Sequence, residues 1–126
     1  MGETTNSQEI RAVIGARKTT RCYRNNTGAL RAPNGELVHF GLFIGSGDLI
    51  CIETVTITPE MVGTQVGVFC SVEVKRDGPD KTPAARKKSQ KMWRDVINGR
   101  GGRAGIARTP EEAIKIIEGR ATDDQK

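Results

Sequence analysis

Two short stretches of this chain hold side chains whose types and spacing suit phosphodiester hydrolysis. Asp48 follows Gly45-Ser46-Gly47 and opens an apolar run, and Glu73-Val74-Lys75 ends another. On an extended strand residues i and i+2 project from one face, so Glu73 and Lys75 point together while Val72 and Val74 turn the other way. Carboxylates gathered at one site resist joint ionisation unless a cation joins them. Mg²⁺ or Mn²⁺ resolves that conflict; Mg²⁺ takes oxygen ligands at about 2.0–2.1 Å and keeps several waters. One such water becomes the nucleophile, because the ion stabilises hydroxide, and Lys75 offsets charge building on the phosphate oxygens. Gln90 lies one helical turn before Trp93 and two before Ile97, where it borders an apolar stripe and can face the sheet. Singly, each feature is ordinary. An aspartate after a glycine turn often just opens a core strand, and a Glu and Lys two apart are common on strand surfaces. Together with Gln90 they form a metal-dependent phosphodiesterase constellation.

The elements that must position these residues are legible from periodicity. Ile10, Val13, Ile14 and the Arg17 stem recur at helical steps from Ser7 to about Lys18, with Ser7 as N-cap and Glu9 in the first turn, where the helix dipole alone accounts for an acid. Residues 20–24 read as a strand. Pro33-Asn34-Gly35 separates Ala29-Leu30 from Leu37-Val38-His39-Phe40 as a hairpin turn. Residues 48–52 and 66–75 read as strands, separated by a single helical turn at 58–63. Thr82-Pro83 starts a helix to about Asn98, with Ala85, Ser89, Met92, Trp93, Val96 and Ile97 on its inner face. A short strand at 104–107 follows, and Thr109-Pro110-Glu111-Glu112 starts a last helix that ends before Gly119. The expectation is an α/β fold in the order α-β-β-β-β-α-β-α, a small mixed β-sheet flanked by helices. It comprises a single domain over 1–119 and a disordered tail over 120–126.

The chain of 126 residues carries 20 basic and 15 acidic side chains, a net charge of +5, and only 4% aromatics. Its core must therefore rest on aliphatic residues, and its charge suits a polyanionic partner. The positive residues concentrate after the second acid. Arg76, Lys87 and Lys88 there, with Arg24, Asn25, Asn26 and Ser46 before it, are the expected nucleic-acid contacts. A turn explains the asparagines equally well, and a solubilising helix face explains 86–88. Trp93 can stack on a base or fill the core, its helical spacing favouring the core. His39 has no catalytic partner at a recognisable spacing. Cys22, Cys51 and Cys70 lack zinc-site spacing and read as structural thiols of a reducing compartment. With a polar N-terminus and no long apolar run, neither a signal peptide nor a membrane anchor is evident, so a cytoplasmic protein without a membrane partner is expected.

Arg24-Asn25-Asn26-x-Gly28-Ala29, Phe40-Gly41-Leu42, Gly45-Ser46-Gly47-Asp48-Leu49-Ile50, Glu73-Val74-Lys75, Gln90 and Gly101-Gly102-x-Ala104-Gly105 recur in order along most of the chain. In this ordered set it resembles a stand-alone VRR-NUC domain of the PD-(D/E)xK nuclease superfamily, of the kind typical of phages and bacteria. The resemblance implies a restriction-endonuclease-like core and metal-dependent DNA cleavage leaving a 5′-phosphate. It also implies that Glu9 joins Asp48, Glu73 and the Val74 carbonyl on the metal, that Lys75 is catalytic and that Gln90 supports the site. Gly47 stands where the superfamily's nominal proline would precede the first acid. Small chains of this type resemble dimeric junction-resolving enzymes, so a homodimer cutting branched DNA such as a four-way (Holliday) junction is expected, in a bacterial cell and encoded by the cell or by a phage. The alternatives are a nickase, a flap or end-processing nuclease, or a non-catalytic basic DNA-binding module.

Overall fold

A computed structural model of the chain describes residues 3–120, without the side chains at 3–5 and 7. The expected tail lies outside the described residues from 121 onward; Arg120, its first member, donates its backbone N–H to Lys115 O. The protein is mixed α/β: α1 (Glu3–Gly15), β1 (Thr20–Arg24), β2 (Gly28–Arg31), β3 (Leu37–Phe40), β4 (Leu49–Glu53), a 3-10 turn (Pro59–Met61), β5 (Cys70–Val74), α2 (Ala84–Gly99), β6 (Arg103–Ala107) and α3 (Pro110–Ile117). This order has one strand more before α2 than expected, because both arms of the hairpin form strands in addition to β1, β4 and β5. Among the described residues the strands pair as three two-stranded ladders, in place of the single small mixed sheet expected: β1–β4 and β2–β3 antiparallel, β5–β6 parallel. No helix among the described residues is long and apolar enough to cross a membrane. Contacts cluster in two compact units, Met1–Val55 and Thr56–Lys126, and each is described by itself.

In the first unit α1 begins at Glu3, earlier than the expected start at Ser7, since neither glycine nor proline interrupts 3–14. Glu9 therefore sits beyond the first turn, and the helix dipole no longer accounts for it. The expected inward face is followed in part: Ile14 is half-buried, whereas Ile10 and Val13 are 51% and 71% exposed. A cavity of about 350 Å³ at β1 is lined instead by Gln8, Arg11, Ala12 and Gly15, whose spacing forms a different stripe of the helix, together with Cys22. Arg17, just past the helix, bonds Thr20 Oγ1 at 2.9 Å and Glu53 Oε2 at 2.6 Å. Glu53 also accepts from Thr20, and these hydroxyl and guanidinium donors, Thr20 first, hold its carboxyl below the usual range. The hairpin closes as expected, with Gly35 N donating to Ala32 O and Ala32 N to Glu36 O, both at 2.8 Å.

The second unit is built on a β-α-β crossover, the connection that parallel strands require. β5 starts at Cys70, later than the expected 66, because its partner β6 starts at Arg103 and the two are paired in register. Ile97 is fully buried, with Ala104, Ala107 and Ile116 close to it in burial. Of the inner face expected for α2, Ile97, Trp93 and Val96 are covered, whereas Ala85 and Ser89 are exposed and Met92 is 59% exposed. The helix ends in a Schellman motif: Gly101 N donates to Asn98 O and Gly102 N to Ile97 O, with Gly101 at φ 87°. Asn98 then clamps β6, donating to Ala104 O and accepting from Ala104 N. α3 starts as its sequence dictates, Thr109 Oγ1 capping Glu112 N and Pro110 occupying the first turn.

Candidate active site

The strand period brings Glu73 and Lys75 to one face of β5, and α2 lays Gln90 across both. Gln90 Nε2 donates to Glu73 Oε1 at 2.9 Å, and Gln90 Oε1 accepts from Lys75 Nζ at 3.1 Å. A carboxylate accepts only and an ammonium donates only, so the amide has one satisfactory orientation. Lys75 is enclosed, its side chain 10% exposed. Its ammonium also donates to Thr82 Oγ1 at 2.9 Å and lies 3.5 Å from Asp80 Oδ2, so its three protons face three oxygens. Asp80 receives the Thr82 backbone N–H at 2.9 Å and pairs more loosely with Lys87. The Thr82 hydroxyl and N–H, then Lys75 and Lys87, push the Asp80 carboxyl far below the carboxylate range.

Two oxygens of this cluster remain available. Glu73 Oε2 has no hydrogen bond or ion pair among the described residues. The Lys75 N–H donates to Ala107 O at 3.0 Å, and in the trans peptide that joins Val74 to Lys75 the Val74 carbonyl must point to the opposite edge, away from β6. Glu73 and Gln90 stand between two cavities that share Arg86 as a lining residue. One, of about 810 Å³, holds Lys75, Arg76, Asp80 and Thr82. The other, of about 330 Å³, holds Ser71, Ser89, Trp93 and Arg94. Trp93 donates from Nε1 to Ser71 Oγ at 2.9 Å and meets Phe69 edge-on, which gives it the packing role its spacing favours.

In the first unit Asp48 precedes β4 with its carboxylate exposed, and Glu9 is exposed on α1. Among the described residues of either unit, no three His, Cys, Asp or Glu form a group that could hold a metal ion. Asn25, expected at a nucleic-acid backbone, is buried and occupied internally. Its Nδ2 donates to Ser46 Oγ at 2.6 Å and Gly47 O at 2.9 Å, its Oδ1 accepts from Leu42 N, and its own N–H donates to Asp48 O. Asn25 and Ser46 thus shape the loop that presents Asp48. Arg24 bonds Asn26 loosely at 3.4 Å, Arg76 and Lys88 are exposed, and Lys87 turns to Asp80.

The chain matches no family model, and no curated protein or solved structure matches it. Sequence reasoning missed Asp80 and Thr82, treating them as a strand break and a helix start. The available signal was Asp-x-Thr, whose first side chain can bond the backbone two residues on. Arg86 and Arg94 stood only as members of a basic run.

Proposed function

We propose that the chain is a metal-dependent, structure-selective DNA endonuclease that hydrolyses phosphodiester bonds, acting as a homodimer on branched DNA such as a four-way junction. The observation that carries this is the Gln90 bridge, which fixes a carboxylate and an ammonium on one strand face beside a basic cavity. The donor set suits a hard cation: Glu73 offers a free oxygen and Val74 a carbonyl, the ligand types that Mg²⁺ or Mn²⁺ prefers. Bound there, the ion supplies Lewis acidity and a water of lowered pKa. Glu73 is oriented for this by Gln90, Lys75 supplies positive charge toward the phosphate, and Arg76 and Arg86 hold the flanking backbone. The proposal includes Asp48 and Glu9, the acids that the VRR-NUC resemblance assigns to the same cation, and the restriction-endonuclease-like core. The enzyme works in the bacterial cytoplasm, encoded by the cell or by a phage.

A second reading draws on the saturation of Lys75. With three oxygens around its ammonium, the Glu73–Gln90–Lys75 chain also suits a structural lock under a non-catalytic DNA-binding surface. Labelled four-way junction, flap and linear duplex, incubated with Mg²⁺, Mn²⁺ or EDTA, separate the two. Cleavage of the junction in excess over duplex, lost in EDTA and in Glu73→Ala or Asp48→Ala while DNA binding persists, is the expected result. Binding without cleavage under every metal condition establishes the second reading, and cutting that survives EDTA unchanged overturns the metal mechanism.

A further inference from the structure

In the first unit, the β1–β4 ladder sets two of the three cysteines directly opposite each other, Cys22 against Cys51. The hydrogen bonds at its two ends fix what kind of pair this is. Asn25 N donates to Asp48 O and Thr54 N to Thr19 O, so the pairs 19/54 and 25/48 are hydrogen-bonded ones. Antiparallel pairs alternate, which makes 21/52 and 23/50 hydrogen-bonded as well, and leaves Cys22/Cys51 a non-hydrogen-bonded pair. In such pairs the Cα atoms approach to about 4.5 Å and the side chains lie closest, within the separation that a disulfide spans.

We propose that Cys22 and Cys51 are a modification site: a reversible intrachain disulfide, formed by exchange with a low-molecular-weight disulfide. Access exists from both sides. Cys51 is exposed, and half-buried Cys22 opens into the cavity of about 350 Å³ beneath α1. Arg11 lines that cavity, and its guanidinium attracts an oxidant bearing carboxylates, as a glutathione-type disulfide does. In the first step a cysteine thiolate attacks one sulfur of the oxidant, breaks its S–S bond and expels a small thiolate, which takes up a proton. The second cysteine then attacks the protein-bound sulfur of the mixed disulfide and expels the other small thiol. The protein loses two protons and two electrons, and the oxidant takes them up to become two thiols. Cys70 lies in the other unit and bonds Val68 O through its sulfur, so it serves as an internal control.

The test treats the whole protein with oxidised glutathione, blocks the remaining thiols with an alkylating reagent, and maps the peptides by mass spectrometry. A Cys22–Cys51 cross-link with Cys70 alkylated, reversed by dithiothreitol, is expected. Oxidation should also raise the urea unfolding midpoint of the wild type and leave that of Cys51→Ser unchanged. Alkylation of all three cysteines after oxidant, separate glutathione adducts on Cys22 and Cys51, or a cross-link through Cys70 overturns the proposal.

Discussion

Gln90 gives the candidate site its polarity. Its amide nitrogen must face Glu73 and its oxygen Lys75, so a substitution that changes either end is felt by a charged neighbour. Gln90→Ala leaves the carboxylate and ammonium unoriented, and should lower cleavage by about 10- to 100-fold, as loss of a ligand's supporting partner does. Gln90→Glu sets a second carboxylate against Glu73 and should cost at least as much, with the loss easing at higher metal concentration. Single-turnover cleavage at several Mg²⁺ concentrations checks both. Asp80 makes a prediction about pH. Its folded carboxyl is depressed by Thr82 and the lysines, so its contribution to stability is present above the ordinary aspartate value, about 3.9, and is lost as pH falls below it. The stability gap between the wild type and Asp80→Asn, read from urea midpoints, should be full near pH 6 and shrink toward about pH 3. A gap that widens in acid would falsify this assignment.

The turn that closes α2 brings backbone close to the core. A Cβ on Gly102 would stand 2.7 Å from Ile97 Cγ2 and 3.0 Å from Phe69 O, and Ile97 is the fully buried side chain of this unit. Gly102→Ala should therefore destabilise by about 1–3 kcal/mol, the usual cost of overpacking, measured by urea denaturation. Such helix ends show what was legible in the sequence. Thr109-Pro110-Glu111-Glu112 and Pro33-Asn34-Gly35 carry their own geometry locally, and the structure follows both. Glu73, Lys75 and Gln90 were legible as one cluster because a strand period and a helical turn suffice to place them. The start of α1 was not, and its inward face only in part. Periodicity marks the most apolar stripe, of which Ile14 is half-buried while Ile10 and Val13 stay exposed. β5 came out shorter because a strand's length is set by its partner, β6. Asp80 and Thr82 were illegible because their contact with Lys75 depends on how a loop folds back, and no period encodes that.

Across the whole molecule the net charge of +5 suits the proposed binding of DNA. Junction binding should weaken steeply with salt, log K falling linearly against log salt as phosphate counterions are released. A titration across salt concentrations in the absence of metal checks this, and Arg86→Ala should flatten the slope by about one. The pairing of the strands has a further consequence, in the order of assembly. Paired residues of β1 and β4 lie 25 to 33 positions apart, against 33 for every pair of β5 and β6, and the β2–β3 hairpin folds within the first span. Closing the shorter span costs less chain entropy and comes earlier. In pulse-labelled refolding, the Asn25 and Thr54 amides should be protected before those of Lys75 and Arg103, so that the loop presenting Asp48 is held before the bed of Glu73 and Lys75 has set.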